Sequence, residues 1–529
     1  MDQLNPDVLR IILFLLHESS RKSLFSFLTV NKRFYKCTLP YILRSLHLKI
    51  ERSFTIPRIH ALLEDDAALR FTRMITISGP CWYWDHTLKP FIDQDEDAKN
   101  WELVARLVSK VVHLTDLTIR FSNFDQRFPV VGILRALHTH HPSSKLSVYN
   151  WAPIINNFDA PFSDEPTEEE QELSQSPCLV TLHSEPILWD IQSYHVQEQK
   201  ALRRMIWLAP HLEVISLTRL SPFDFEELDQ LGAIGHRKVV RTIALKHVVL
   251  DARSLRYLSE FAYIHKLTSL FDVSPSPDFL YASASGSHDG GNLFSSLKHL
   301  RFNLNPWGHI PTVLAAALNL FLSSCPGLTS LSLVIPCHQE FDPNRDQNTW
   351  PLSLIFTTIL SRHGQSLNTL RLHQAEEMFV ESNSRTCLSV NELRQLRGMV
   401  PHLDELEFDV DRTGDGVHEQ DIYAILASIR TLQRININLD LGLVPNANNA
   451  NKPPHSGSEG IYPLIQADTV RTIWDTFMKN KVGLPLQEFI LKVGNDFRQS
   501  FLMRKGERDD EDGVELEIYD EINERYRYM

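Results

Sequence analysis

The sequence predicts an α/β fold in which short parallel strands alternate with helices along a repeat array. An apolar frame of the form L-x-x-L-x-L recurs through much of the 529-residue chain, and helical patterns fill the spacers between frames. A separate, strongly apolar helical stretch precedes the first frame. Helix followed by strand, repeated many times, favours a parallel sheet lined by helices on one side.

The repeated frame marks the predicted strands. Between Ile215 and Ile435, successive middle residues of the frame lie 27 to 39 residues apart. Most of these steps are near the 20–29-residue period of leucine-rich repeats, and several units are stretched. Met74–Ile77 is predicted as an earlier strand and Leu267–Leu270 as a truncated frame. The full frames are Leu114-Leu117-Ile119, Leu212-Ile215-Leu217, Val240-Ile243-Leu245, Leu297-Leu300-Phe302, Leu328-Leu331-Leu333, Leu367-Leu370-Leu372, Leu403-Leu406-Phe408, Leu432-Ile435-Ile437 and Leu486-Phe489-Leu491.

The spacers carry helical periodicity. Val313–Leu322 has apolar residues on one helix face, and Leu352–Leu360 has another such pattern ahead of Gly364, a candidate C-cap. Further helices are predicted around 393–400 and 422–429. One helix–strand unit cannot bury both of its faces, so its neighbours must stack on it. The prediction is a curved solenoid with parallel strands on the concave side and helices on the convex side.

Residues 1–50 form a different kind of unit. Asn5 can cap a first helix that has Pro6 at its first position. We predict a second helix at Ser23–Leu28, a third capped by Asn31 and a fourth opened by Pro40. The first helix is apolar over most of its circumference, so it must be covered on more than one side. Its main apolar face comprises Leu9, Ile12, Leu13 and Leu16, and the apolar residues outside that face are Ile11, Phe14 and Leu15.

The order and spacing of these residues resemble an F-box. The resemblance is carried by L-x-P-D-V-L-x-x-I from Leu4 to Ile12, by K-R-F-Y from Lys32 to Tyr35, and by the apolar residues between and after them. It implies a helical unit that docks onto the Skp-type adaptor of a cullin–RING ubiquitin ligase. The phrase Cys325–Leu331 likewise resembles the strand entry of F-box-associated leucine-rich repeats. The resemblance assigns adaptor binding to Leu4, Pro6, Val8, Leu9, Ile12, Leu16, Leu24, Leu28, Val30, Phe34 and Tyr35.

Net charge and cysteine content limit which classes of partner and which cellular compartment we expect. The formal net charge of −13 disfavours nucleic acid or an anionic membrane as the main partner, because either requires a basic surface. Six cysteines without a C-x-x-C pair favour a reducing intracellular compartment, cytoplasmic or nuclear. The apolar run Ile11–Leu16 has only six residues and leads into no clear cleavage site, which argues against a signal peptide. No apolar run approaches the roughly 18 residues that a membrane span requires.

Three parts of the chain are predicted. Residues 1–50 are the F-box, residues 51–506 an irregular leucine-rich-repeat solenoid, and residues 507–529 a charged C-terminal tail in which Val514–Tyr528 can form a short helix. Three polar stretches without apolar periodicity are predicted as exposed insertions in the solenoid. They lie near 160–178, 282–293 and 442–460.

Motifs of catalysis and metal binding are weak. Ser287-His288-Asp289 has the residue types of a catalytic triad, but adjacent residues in a glycine-rich loop do not easily reach its geometry. His138, His140 and His141 are interpreted as a polar helix end before Pro142. Asp409–Asp415 begins like a calcium loop, but the twelfth position is Gln420 rather than a bidentate glutamate. We predict no catalytic, cofactor-binding or metal-binding residue.

A client-binding face is predicted on the strands. In each frame the leucines should point into the core and the alternating residues to the opposite face. Basic residues on some strands would then lie beside acidic residues on the next, and the alternative is a solvated repeat face with no special role. The candidates are His299, Arg301, Thr369, Arg371, His373, Glu405, Glu407, Asp409 and Arg434.

The sequence therefore favours a non-catalytic client-receptor subunit of an SCF-type (Skp–cullin–F-box) ubiquitin ligase. Its partners would be a Skp-type adaptor, through it a cullin–RING core, and an unidentified client protein. Such a receptor acts by proximity, because it raises the effective concentration of client lysines near the charged enzyme. The alternative is a ligase-independent leucine-rich-repeat scaffold whose front helices form only a cap. An irregular α/β hydrolase or transferase is a third class, and it lacks a recognisable nucleophile–base pair.

Overall fold

A computed structural model describes most, but not all, of the chain. The described ranges are 5–19, 21–49, 55–78, 94–121, 130–151, 166–184, 201–202, 204–218, 238–286, 293–304, 311–336, 350–375, 387–411, 417–440, 467–493, 499–505 and 514–520.

The chain divides into two compact units. Unit 1 comprises Met1–Leu245 with Glu260–Tyr263, and unit 2 comprises Lys246–Ser259 with Ile264–Met529. The division falls inside the repeat region, and the predicted boundaries at residues 50 and 506 did not anticipate it. Each unit is described by itself below.

Three helices open the chain: α1 (Pro6–Ser19), α2 (Arg21–Leu28) and α3 (Lys32–Ile42). Pro40 lies inside α3 and does not open a fourth helix, so that prediction is wrong. Further helices follow along the chain. They are Thr55–Glu64, Asp66–Phe71, Gln94–Lys110, Val131–His140, Glu168–Ser174, Ala252–Phe261, Pro277–Ser285, Pro311–Ser324, Leu352–Thr358, Val390–Met399, Val417–Ala427 and Ala467–Asn480, with a 3₁₀ turn at Ile264–Lys266 and a π-helical turn at Ile359–His363.

Within the described ranges, sixteen strands lie among and after these helices. They are β1 (Ser45–Lys49), β2 (Met74–Ser78), β3 (Asp116–Arg120), β4 (Lys145–Tyr149), β5 (Leu179–Ser184), β6 (Val214–Thr218), β7 (Thr242–Leu250), β8 (Ser269–Pro275), β9 (His299–Asn303), β10 (Ser330–Pro336), β11 (Thr369–Ala375), β12 (Glu405–Asp411), β13 (Arg434–Asp440), β14 (Glu488–Val493), β15 (Gln499–Lys505) and β16 (Val514–Asp520). The second and third residues of every full predicted frame lie on a strand, and the first lies two residues before it. Strands β1, β4, β5, β15 and β16 were not predicted.

In unit 1, strands β1 to β6 pair in parallel and in chain order. In unit 2, β8 to β14 do the same. Parallel neighbours in chain order, each reached through a helix, are what the helix–strand pattern predicts. This confirms the α/β class and the parallel sheet.

The C-terminal strands break the parallel pattern. Strand β15 runs antiparallel to β14, and β16 runs antiparallel to β15. The helix predicted over Val514–Tyr528 is wrong, because Val514–Asp520 is a strand. Strands therefore occur on both sides of the predicted solenoid limits, with β1 before residue 51 and β16 after residue 506.

Burial alternates along the strands as the frame requires. In β9, Leu300 and Phe302 are buried while the residues on either side of them are half-buried. The same alternation occurs in β3 and β6. The frame residues therefore build the core between sheet and helices, and the alternating residues form the opposite, polar face.

Local signals set several helix starts. Ser389 and Glu392 form a reciprocal capping box at the start of Val390–Met399. Ser276 caps the helix that begins with Pro277. Thr167 caps Glu168–Ser174, whose Leu173 is buried. Residues 166–178 are thus a packed element and not the exposed insertion that their acidic composition predicted.

The other two predicted insertions lie mostly outside the described residues. Ser283 is buried within the helix Pro277–Ser285, whereas 287–292 and 442–460 are not described. Among the helices in the described ranges, none is both long and apolar enough to cross a lipid bilayer.

Candidate docking surface and client face

The front unit, residues 5–49, has a small core of its own. Leu9, Leu13, Leu24 and Phe34 are each at most 1% exposed and contact one another. The ring of Phe27 lies 5.5 Å from that of Phe34, centroid to centroid. Partly buried side chains pack around this core, namely Leu16, Phe27, Cys37, Tyr41 and Ile42. The three helices therefore pack together as one folded unit.

Hydrogen bonds fix the ends of these helices. The side-chain oxygen of Asn5 accepts the N–H of Asp7 at 2.9 Å, and that of Asn31 accepts the N–H of Phe34 at 2.9 Å. Both predicted N-caps are therefore confirmed. The hydroxyl of Tyr41 donates to the carbonyl oxygen of Arg10 at 3.2 Å, which joins α3 to α1.

The front unit exposes large apolar side chains on all three of its helices and in the turn after α2, and we call this set of residues the docking surface. Seven of the twenty large apolar side chains that the described residues expose fall between positions 8 and 35. Each of the seven is between 43% and 60% exposed, so the three helices leave a concentrated apolar area uncovered. The docking surface comprises Val8, Ile11, Phe14 and Leu15 on α1, Phe25 on α2, Val30 in the turn that follows, and Tyr35 on α3.

The structure separates the predicted adaptor-binding residues into three groups. Val8, Val30 and Tyr35 are exposed. Leu9, Leu24 and Phe34 belong to the unit's own core and cannot reach a partner while the unit stays folded. Ile12, Leu16 and Leu28 are half-buried. Leu4 lies outside the described residues, and only the backbone of Pro6 is described.

Sequence reasoning did not assign Ile11, Phe14, Leu15 and Phe25 to docking. The signal was present, because the first three lie outside the main apolar face of α1 and therefore need a second cover. The sequence could not show which of the two apolar faces of α1 turns inward. Leu9 and Leu13 turn inward, so the opposite face remains for a partner.

The predicted client-binding residues lie on neighbouring strands of unit 2 in matched register. Across β11, β12 and β13, Thr369 is opposite Glu405, and Glu405 is opposite Arg434. Two residues further along, Arg371 is opposite Glu407. Parallel strands keep each such row aligned, so basic and acidic side chains are direct neighbours across the sheet.

Arg371 links two of these rows. Its guanidinium donates from Nε to Oε1 of Glu405 at 2.8 Å, and Nη2 bonds the same oxygen. Nε also lies 3.7 Å from Oε2 of Glu407. On the other side of β12, Lys492 lies 3.5 Å from Oε1 of Glu407, and Nη2 of Arg434 lies 3.6 Å from Oε2 of Glu405. Both carboxylates thus have cationic neighbours on both sides.

Asp409 occupies a buried position at the next row. Its side chain is 1% exposed, its Oδ1 lies 2.8 Å from Nδ1 of His373, and its Oδ2 accepts the backbone N–H of Gln374 at 2.6 Å. Asp409 therefore lies on strand β12 and bonds to β11. Positions 412–415 of the calcium-like stretch lie outside the described residues.

Arg301 is also paired on its own sheet face. Its Nε lies 3.0 Å from Oδ1 of Asp272. The basic and acidic residues of this face thus contact one another and do not form two separate bands of opposite charge. A charge reversal at Glu405 or Glu407 would consequently disturb the packing of unit 2 as well as any client contact.

In unit 1, a histidine contacts both a serine and a glutamate, and these are the residue types of a hydrolytic triad. Nε2 of His138 lies 2.8 Å from Oγ of Ser176, and Nδ1 of His138 lies 3.4 Å from Oε2 of Glu172. The geometry supports no nucleophilic role, because Ser176 is 0% exposed and its Oγ accepts the N–H of Cys178 at 3.2 Å. Burial lowers the pKa of His138. These contacts join the helices Val131–His140 and Glu168–Ser174.

Two further motifs noted in the sequence are the histidines before Pro142 and the triad-like Ser287-His288-Asp289. His141 follows the helix Val131–His140, and its Nε2 bonds the carbonyl oxygen of Val108 at 2.9 Å. Ser287-His288-Asp289 lies outside the described residues. Within the described ranges, the structure contains no group of three or more histidine, cysteine, aspartate or glutamate side chains placed to hold a metal ion.

Comparison of the chain with models of known protein families, and separately with curated proteins, found no match. The functional conclusion therefore depends on the geometry of the chain and on the resemblance carried by residues 4–46.

Proposed function

We propose that the chain is the client-receptor subunit of an SCF-type ubiquitin ligase, and that its front unit binds a Skp-type adaptor. The docking surface is the observation that carries this proposal. A folded unit with its own core would gain by covering seven exposed apolar side chains, because their burial removes apolar area from water. The order of residues 4–46 resembles an F-box, which names the partner.

The proposed role involves no bond chemistry by this chain. The receptor holds a client close to the ubiquitin-charged enzyme, and the reaction accelerates because the client lysines are kept at high effective concentration. A buried area of about 800 Å² of mostly apolar surface would supply a gross term on the order of 20 kcal/mol, much of it cancelled by the costs of association.

The test is co-purification of the full chain with a Skp-type adaptor. A double change of Ile11→Asp and Phe14→Asp places two carboxylates in the docking surface without touching the front unit's core, so it should abolish capture. Leu320→Asp with Leu354→Asp is the matched control, because each of these leucines is 47% exposed on a helix of unit 2. Equal capture of the adaptor by both variants would refute the proposal. It would favour the alternative, a leucine-rich-repeat scaffold that does not act in a ligase.

Leu9 is not a suitable position for this test, because it belongs to the core of the front unit. An aspartate at Leu9 would bury a carboxylate in the core of the front unit and unfold it, so loss of binding would not identify a contact. Circular dichroism of the Ile11→Asp, Phe14→Asp variant should match that of the unaltered chain.

Client capture by the polar face of unit 2 is part of the same proposal. Its support is the row of charged, partly exposed side chains that the strand register aligns. An exchanged pair, Arg371→Glu with Glu405→Arg, preserves the cross-strand ion pair and reverses its direction. We expect the exchange to lower client capture while the free energy of unfolding stays closer to that of the unaltered chain than in either single variant. Unchanged capture would refute this role for the face.

A further inference from the structure

The front unit is basic in an acidic chain. Residues 1–50 contain eight lysines and arginines and three acidic residues, a formal net charge of +5, whereas the whole chain has −13. Among the front-unit side chains that the structure describes, the acidic one is Asp7, and its carboxylate lies 3.3 Å from the guanidinium of Arg10. Positive charge is thus concentrated in the segment that carries the docking surface.

Two lysines flank the docking surface on α3. Lys32 and Lys36 are exposed and lie one helical turn apart, with Tyr35, itself 46% exposed, on the same helix face. Val30 precedes them in the turn and is 53% exposed. Within the described residues, neither lysine forms an ion pair. This end of the docking surface therefore combines apolar contact area with ammonium groups that are not neutralised within the unit.

We propose that the docking surface is built for an acidic partner: the adaptor surface that covers it presents carboxylates opposite Lys32 and Lys36 at the rim of an apolar groove. The inference rests on the proposed function and specifies the electrostatics of its partner. Charges at an interface rim act mainly on the rate of association, whereas buried apolar contacts act on dissociation. The lysines therefore steer the encounter, and the apolar side chains retain the partner.

A protein partner fits these observations better than an anionic membrane. An interfacial membrane helix needs one apolar face and one polar, basic face. Helix α1 has no separate basic face of this kind. Leu9 and Leu13 are buried in the core, and the outer side interleaves Ile11 and Phe14 with Asp7 and Arg10, whose charges offset each other in an ion pair. A helix that is apolar on both faces is placed between its own core and a second protein surface.

The experiment measures association and dissociation rates of the full chain with a purified Skp-type adaptor at rising salt concentration. The key variant is Lys32→Glu with Lys36→Glu. Its matched control is Lys110→Glu with Lys479→Glu, which makes the same change in net charge at exposed lysines of other helices. We expect the key variant to associate on the order of tenfold more slowly at low salt, with a dissociation rate near that of the unaltered chain. The control should behave like the unaltered chain.

Each other outcome has a defined meaning. If the unaltered chain fails to bind the adaptor, the proposed function is refuted and this inference falls with it. If binding occurs and is lost in the Ile11→Asp, Phe14→Asp variant, but the key variant associates as fast as the control, the inference alone is wrong. Binding to phosphatidylserine vesicles that disappears in the key variant, without any change in the association rate with the adaptor, would also overturn it in favour of a membrane surface.

Discussion

Lys238 places an ammonium group in the interior of unit 1. The residue is 6% exposed, and its Nζ donates to the carbonyl oxygens of Ile206 and Ala209 at 2.6 and 2.5 Å. Burial lowers the pKa of Lys238 to about 7. Two carbonyl oxygens can be satisfied by the two N–H groups of a neutral amine, so the folded chain accommodates the uncharged form.

The pH dependence of this lysine can be tested against Lys238→Met. Between pH 7 and about 10 the unfolded chain holds the proton that the folded chain has released, so the contribution of Lys238 to the free energy of unfolding rises with pH. The unaltered chain should gain on the order of 2 kcal/mol relative to Lys238→Met between pH 7 and pH 9. Urea unfolding at both pH values measures the difference. A difference that does not change with pH would contradict the assignment.

His363 depends on pH in the same direction as Lys238, but over a lower pH range. It is 0% exposed, its Nδ1 accepts the N–H of Leu328 at 3.2 Å, and its Nε2 lies 3.1 Å from the carbonyl oxygen of Leu322. These bonds fit the neutral ring, and burial lowers the pKa of His363 to about 4. As the pH falls from 6.5 to 4, the unfolded chain binds a proton at this position that the folded chain does not bind. The free energy of unfolding therefore decreases.

We expect the loss from His363 to be about 3 kcal/mol between pH 7 and pH 4. In His363→Gln this part of the pH dependence should vanish, although the variant should be less stable at pH 7 because a flexible amide does not hold its donor and acceptor where the rigid ring nitrogens lie. Parallel unfolding curves of the two chains from pH 7 to pH 4 provide the measurement. The prediction fails if both chains lose the same stability as the pH falls.

At the scale of single elements, two glycines of unit 2 should respond in opposite directions to alanine. Gly398 is exposed inside the helix Val390–Met399, and a Cβ there would meet no atom within 4 Å. Gly483 has φ of +87°, and a Cβ there would lie 2.5 Å from the carbonyl oxygen of Arg430. Gly398→Ala should therefore stabilise by about 0.5–1 kcal/mol. Gly483→Ala should destabilise by about 1–3 kcal/mol.

Thermal unfolding of both glycine variants checks this pair, and each serves as the control of the other. A destabilised Gly398→Ala would show that the helix end needs conformational freedom that its geometry does not indicate. An unaffected Gly483→Ala would contradict the positive φ.

The elements that sequence reasoning missed had weaker or conflicting signals. Leu46 and Leu48 alternate as a strand does, but Pro40 suggested a helix start just before them, and the chain continues α3 through Pro40 before β1. Strand β5 follows an acidic stretch that composition alone assigned to a loop. In β16, the alternation of Val514, Leu516 and Ile518 with acidic residues was a strand signal, but it was outweighed by the charge of the segment.

At the scale of the whole molecule, the long frames were predictable because each repeats the same burial pattern. The candidate docking surface and client face were less predictable from the sequence. The apolar content of residues 4–35 predicted a partner, but an apolar helix gives no amphipathic signal about its inward face. The ion pairs of Arg371 with Glu405, and of His373 with Asp409, depend on strand register, which no single frame specifies.

Removal of the front unit should depend on where the cut is made. Strand β1 pairs with β2, and the carbonyl oxygen of Arg44 accepts the N–H groups of Arg73 and Met74 at 2.9 and 3.0 Å. A chain that begins at residue 43 keeps these bonds, whereas one that begins at residue 51 leaves the edge of β2 bare. We expect the first to lose the adaptor but remain monodisperse, and the second to self-associate. Light scattering after size-exclusion chromatography distinguishes them, and equal behaviour would contradict the role of β1.

The reversal of direction at β15 and β16 has a consequence for assembly. Parallel helix–strand units present an outer edge that matches the inner edge of the next unit, so such an array can in principle keep growing from chain to chain. Two antiparallel strands after β14 change the spacing of the exposed hydrogen-bonding groups. A second molecule that added a parallel helix–strand unit would therefore meet a different hydrogen-bonding pattern at β16 than at β14.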